Sequence, residues 1–255
     1  MPKAQTQKTP KILLFDIETM ANKAYVWGKY EQNVLSFDSE WYILTFAYKW
    51  LGDSKTEAYA LPDFKTFRRN KQNDRELCLK LWELLDEADI VIGHNCLEFD
   101  IKKANARFAY HGLTPPSPYK VVDTRQIARR YFKFNSNKLD DLGQHLGLGA
   151  KVKHSGWEMW LGAAVHNDKK SWEEMVRYNK VDVDLLEKVY LTLLPWITTH
   201  PNYNLYTGSI HTCPNCGGKH LQKRGSHLTR VTKHQRYQCQ DCGAWSHAPH
   251  NKIVR

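Results

Sequence analysis

The stretch LLFDIET (residues 13–19) is an apolar run broken by two carboxylates, Asp16 and Glu18. On a strand, residues two apart face the same way, so both acids project together while Ile17 turns to the other side. Two negative charges side by side in an apolar setting are costly unless something positive sits between them. The stretch therefore calls for a buried strand whose end holds a cation, with further acids supplied from elsewhere in the chain.

The rest of the 255-residue chain is long enough for one α/β domain and a small appendage. Strand patterns fall near residues 11–17, 24–30, 41–50 and 56–60. A helical pattern covers 74–88, with Leu77, Leu81, Leu84 and Leu85 along one stripe. A short strand at 89–95, a helix at 99–110 stopped by Gly112 and Pro115–Pro116, and a strand at 119–124 follow. Helical segments at 125–132 and 137–146 and a long one at 172–196 complete the pattern. Strands first as a meander, then alternating with helices, imply an α/β fold with a mixed sheet flanked by helices. Pro195 and the polar run after it mark a boundary. The expected division is a flexible tail at 1–10, a main domain at 11–200 and a small domain at 206–255. No apolar run is long enough to cross a bilayer, and the N-terminus lacks a secretory core, so the expected place is the cytoplasm of a bacterial or phage-infected cell.

Two later stretches supply the further acids. GHNCLEFD (residues 93–100) puts Asp100 at a helix start just after a buried strand, and YNKVD (178–182) sets Tyr178 and Asp182 four apart on one helix face. Asp184 is six residues from Tyr178 and falls on another face. Four acids converging from separate elements suit a pair of hard, oxygen-seeking cations. Two such ions about 4 Å apart can clamp the attacking and leaving oxygens of a phosphodiester. Tyr178 stays neutral near pH 7, so it would orient a water rather than deprotonate it. Asp123, Asp140 and Asp141 read as structural: a strand-end acid and two solvated helix residues.

FDIET, GHNCLEFD and YNKVDVD, in that order, resemble the three motifs of the DEDD superfamily of 3′→5′ exonucleases, which have a ribonuclease H-like fold. Tyrosine four before the last aspartate resembles the tyrosine-bearing (DEDDy) branch; the histidine branch would need His where Arg177 stands. The resemblance implies Asp16, Glu18, Asp100 and Asp182 as ligands of two Mg²⁺ or Mn²⁺ ions, Tyr178 as the water-orienting residue, and Thr19 and Met20 beside the terminal nucleotide. It implies a metal-dependent exonuclease acting on nucleic acid, DNA ahead of RNA. An RNA-directed exonuclease and a non-catalytic nucleic-acid-binding protein are the alternatives.

Of six cysteines, Cys78 and Cys96 read as reduced thiols in or near the core. The others form C-P-N-C (Cys213, Cys216) and C-Q-D-C (Cys239, Cys242), two knuckles offering four thiolates to one structural Zn²⁺. The segment resembles the zinc ribbons of transposases. From Leu205 onward eight cations face one acid, which accounts for +7 of the chain's +10. Lys223, Arg224, Arg230, Lys233 and Arg236 between the knuckles are candidates for holding phosphates. Tyr237 and Trp245 could stack on bases or fill a small core. His220, His227 and His234 read as surface residues.

Overall fold

The structure, a computed structural model, describes residues 9–30, 33–152, 154–209 and 211–248, with Lys252–Ile253 as backbone alone. Residues 1–8 of the expected tail lie outside the described residues.

In chain order the first elements are β1 (Ile12–Thr19), β2 (Lys23–Tyr25), β3 (Ser36–Ser39), β4 (Ile43–Trp50), β5 (Glu57–Ala60), α1 (Arg75–Glu87), β6 (Ile90–Gly93), α2 (Asp100–Tyr110) and β7 (Lys120–Asp123). They are followed by α3 (Thr124–Tyr131), α4 (Leu139–His145), α5 (Trp157–Trp160), α6 (Lys169–Leu193) and α7 (Asn204–Thr207). The chain ends with β8 (Leu221–Leu228), β9 (Thr232–Cys239), β10 (Trp245–His247) and β11 (Lys252–Ile253).

The main sheet has the order β5-β4-β1-β6-β7. β4 runs antiparallel to β1 and β5, while β6 is parallel to β1 and β7 parallel to β6. The two halves of the sheet reflect their connections: the β2–β3 hairpin and a short turn join the antiparallel strands, and helices carry the chain back between the parallel ones. This is the mixed, helix-flanked α/β sheet that the pattern of strands and helices implies.

Period-2 alternation in β1 sends Leu13, Phe15 and Ile17 into one core, packed with Leu77, Leu81 and Leu85 of α1 and Phe108 of α2. Ile12 and Leu14 enter a second core on the opposite face, with Ile127, Leu142, Val183, Leu186 and Val189 of α3, α4 and α6. Asp16 and Glu18 continue the Ile12–Leu14 side. The carboxylates thus lie where the second core gives out, beneath α6.

Expectation and structure part in several places. The strand expected over 24–30 stops at Tyr25, and β2 pairs only with β3, outside the main sheet. Val26 and Trp27 find no buried surface to pack on, and the chain bends through Gly28. α6 starts three residues early because Asp168 caps it, its carboxylate accepting from the Ser171 N–H at 2.8 Å. A helical stretch at α5 and a single π-type turn at Leu161–Val165 had no cap or clean period to announce them.

The C-terminal unit pairs β9 with β8, β10 and β11. Its first knuckle rests on the end of α6: the Asn215 side chain donates to the Leu194 and Ile197 carbonyls at 3.0 and 3.1 Å, and the Tyr203 N–H donates to Pro214 O at 2.7 Å.

Candidate active site

β1 delivers Asp16 and Glu18, and α6 delivers Tyr178 and Asp182 across from them. Oxygens of Asp16, Glu18 and Asp182 all lie within 4.8 Å of one another. Asp100 opens α2 and stands just behind this set, accepting a hydrogen bond from the Ile17 N–H at 3.1 Å. The four acids expected to converge do so, with Asp100 in the second rank of the cluster as it stands. Asn179, fully buried, donates to Asp16 Oδ2 at 2.7 Å and fixes that carboxylate. Asp184 points elsewhere: it accepts from Thr56 Oγ1 at 2.5 Å and lies 3.7 Å from Lys49 Nζ. Thr19 and Met20 are half-buried at the end of β1, where its register with β4 shifts.

Burial and crowding raise the pKa of each acid. Burial, then Asp100 and Glu18, raise the Asp16 carboxyl well above the usual range. Burial, then Asp182, push Glu18 up to about 8. Asp100 rises to about 7, mainly through burial, and burial raises Asp182 as well.

Lys151, absent from the sequence expectations, stands inside this group. Its ammonium ion-pairs with Asp182 Oδ2 and donates to the Tyr178 hydroxyl at 2.9 Å. Nothing marks it in sequence: it is one lysine in an irregular glycine-containing loop. The loop is tethered by Asp140, whose Oδ1 accepts the Lys151 N–H at 2.6 Å. Asp140 and Asp141, expected to be solvated, are half-buried, and Asp140 has this definite task because α4 packs it against the incoming loop. Asp123 is structural as expected, and more than a strand end. Its carboxylate caps α3 and accepts from Asn95 N at 3.0 Å and Leu97 N at 3.2 Å, shaping the loop that presents Asp100. In that loop Asn95 adopts φ 66°, and a Cβ on Gly93 would sit 2.4 Å from Cys96 Cβ. An open cleft of about 500 Å³ runs from Asp16 past Asn95, Arg125, Lys138 and Lys151.

Residues 13–194 match the RNase_H superfamily. The chain belongs to the RNase_H superfamily. A search of curated proteins gives no match. The fold is similar to that of the family B DNA polymerase from the hyperthermophilic archaeon Pyrobaculum calidifontis, with a TM-score of 0.54 at 15% identity. That similarity covers 91% of this chain and 33% of the polymerase, so the chain spans about a third of its length. Membership of the RNase_H superfamily supports a nuclease, and with it a nucleic-acid substrate.

Beyond the superfamily match, Cys213, Cys216, Cys239 and Cys242 bring four sulfurs within 4.8 Å of one another. The Cys213–Cys242 and Cys216–Cys239 separations are 3.7 and 3.8 Å, far beyond a disulfide bond. A tetrahedron of sulfurs about 2.3 Å from a central Zn²⁺ has edges of about 3.8 Å, so the thiols fit that ion. Hydrogen bonds from the Cys216 and Cys242 thiols pull the Cys213 thiol well below its ordinary value. Gly217 and Gly243, one after each knuckle, both have positive φ (74° and 82°).

The cluster's small core is Cys213, Cys239 and Ala244, backed by Leu221. Tyr237 and Trp245 stand outside it; Trp245 is half exposed beneath the Arg236 guanidinium, 4.8 Å from the ring centre. Lys223, Arg224, Arg230, Lys233 and Arg236 are all exposed. His220 and His227 are exposed as expected, whereas His234 is buried. β9 turns it inward, where it meets Thr232 Oγ1 at 2.9 Å and Ala248 O at 3.0 Å. Cys78 and Cys96 are buried free thiols, in line with the sequence reading. Among the described residues, no helix is long and apolar enough to cross a membrane.

Proposed function

We propose that the chain is a metal-dependent 3′→5′ exonuclease of the DEDDy type, formed by residues 11–200, with a zinc ribbon at 206–255 that grips nucleic acid. The observation that carries this reading is one atom. Asp182 Oδ1 is buried with no hydrogen-bond partner, while Oδ2 is taken by Lys151. A buried carboxylate oxygen left bare beside two more carboxylates fits a divalent cation, since an unmet polar atom is otherwise costly.

Asp16, Glu18 and Asp182, with Asp100 behind them, would hold two Mg²⁺ or Mn²⁺ ions. Such ions supply an activated water and charge stabilisation at the departing 3′ oxygen. Tyr178 keeps its proton, because burial and Asp182 raise its pKa. Lys151 donates to the Tyr178 oxygen, and the phenolic O–H is directed toward Asp182, where it would orient a water held beside that carboxylate. Lys151 also remains charged, since its pKa is raised by the Asp182 ion pair against the opposing effect of burial, and its positive charge can meet charge developing on the phosphoryl oxygens. Thr19 and Met20 line the end of β1 where the terminal nucleotide would lie. Lys223, Arg224, Arg230, Lys233 and Arg236 of the ribbon would contact the backbone farther along. The fold shared with a DNA polymerase supports DNA ahead of RNA.

Incubating the protein with 3′- and 5′-labelled DNA and RNA in Mg²⁺ or Mn²⁺ tests this. A ladder shortening from the 3′ end is expected, strongest on DNA, and Asp16→Ala or Asp182→Ala should abolish it without unfolding the protein. Full activity in either variant would overturn the site. Binding without cleavage would leave a nucleic-acid-binding protein, and a ladder on RNA alone would change the substrate.

A further inference from the structure

Positive charge also gathers beside the cleft, where a count over the main domain hides it. Between Thr124 and Leu139 the chain has Arg125, Arg129, Arg130, Lys133 and Lys138 and no acid. None of these five takes part in an ion pair among the described residues. By contrast, Lys11, Lys23, Lys80 and Lys102 on other surfaces each have a carboxylate partner.

The placement is directional. Arg125 lies on the first turn of α3 and donates to Asn95 Oδ1 at 2.7 Å; Arg125, Asn95 and Lys138 line the same cleft as Asp16. Arg129 is four residues on, hence on the same helix face one turn farther out, and is exposed. Lys133 follows just past the helix end, also exposed. Arg130 faces a separate depression with Ile197 and Thr199. The irregular segment after α3 is held in place: Phe132 stacks on Phe134 at 5.0 Å and 18°, Trp196 meets Phe132 edge-on at 5.4 Å, and His94 Nε2 lies 2.9 Å from the Asn137 carbonyl oxygen.

We propose that Arg125, Arg129, Lys133 and Lys138 form a phosphate-binding track that leads out of the carboxylate cleft and holds the backbone of the strand being cut. Unpaired cations in a row on a rigid support suit a polyanion whose charge repeats, and they read phosphate rather than base. The direction of the track, from the cut end outward, rests on the nuclease reading; the binding itself does not.

The test is equilibrium binding of a 5′-fluorescent oligothymidine by the full chain, without divalent metal, from about 50 to 200 mM salt. Each single-strand phosphate contact contributes about 0.7 to the slope of log K against log salt, so Arg129→Gln with Lys133→Gln should lower it by about 1.4 and the fourfold variant by about 3. Arg129→Lys should keep the slope. The exposed pair can be neutralised with no change in thermal melting, which guards the result if Arg125→Gln disturbs the Asn95 loop. An unchanged slope in the double and fourfold variants would overturn the track while leaving any cleavage by the native chain intact. A reduced slope in a protein that cuts no polynucleotide would uphold the track and overturn the nuclease reading.

Discussion

Neutralising Glu18 should stabilise the metal-free protein, and by more as the pH rises. Burial and the Asp182 carboxylate raise the Glu18 pKa to about 8, against 4.5 for the free side chain. Between those values the folded protein keeps a proton that the unfolded chain has released. Stability is therefore at its fullest below about pH 4.5, falls through the window, and reaches its floor above about pH 8. Each pH unit inside the window costs up to about 1.4 kcal/mol. Glu18 is only half-buried, and solvent there screens the interaction, so a working figure is ~2 kcal/mol lost from about pH 5 to 7.5. Asp16 and Asp100 push in the same direction. Glu18→Gln keeps the shape and removes the titration. In a chain of this size ~2 kcal/mol is worth about 4–8 °C in Tm. Thermal melts in chelator across pH 5 to 8 should show wild type and variant close together at the acid end and the variant higher at the alkaline end. Magnesium should then raise the wild type more than the variant, because binding to the folded state alone stabilises it. A variant less stable than wild type near pH 7.5 without metal would refute the view that the carboxylates repel one another there.

Tyr178→Phe should lower kcat by roughly 10- to 1,000-fold with little change in KM, while Asp184→Asn should do little; steady-state kinetics showing the reverse order would place the chemistry on the wrong face of α6. Lys151→Met should slow single-turnover cleavage by roughly 100- to 1,000-fold yet tighten apparent metal binding, since no ammonium then competes for Asp182; a metal titration with no shift would count against that competition. Cys216→Ser should lower the melting temperature of the whole chain by a few degrees, because its knuckle packs on α6 beside Tyr190 and Leu194. An unaltered main transition in calorimetry would show that the contact carries no stability.

The sheet and the acid set were legible because their signals are local. Alternation in β1 puts Asp16 and Glu18 on one side, a helix start holds Asp100, and a four-residue interval places Tyr178 over Asp182. Each needs only its own neighbours in sequence to be read. Lys151 was not legible, since its place beside Asp182 depends on a loop anchored by Asp140 from α4. Asp123 had a readable signal, an acid followed by threonine between strand and helix, but a cap reading says nothing of the Asn95 loop it also holds. The basic run at 125–138 was hidden by counting charge over a whole domain, where acids on other surfaces cancel it. His234 was misplaced because strand facing in a short hairpin follows register, and register there is set by the shift between Lys223 and Ser226.

The unbroken course of α6 ties the carboxylates to the footing of the C-terminal unit. Asp182 and Leu194, where Asn215 seats the first knuckle, are twelve residues apart in sequence, a rise of about 18 Å along a helix. A strand held, as proposed, at both the carboxylates and the ribbon would span two points joined by one helix, and once too short to reach both it would be held at one alone. Digestion by the proposed nuclease should then slow at a short remnant, and adding one turn to α6, which moves the ribbon's footing by about 5 Å, should change the length of that remnant.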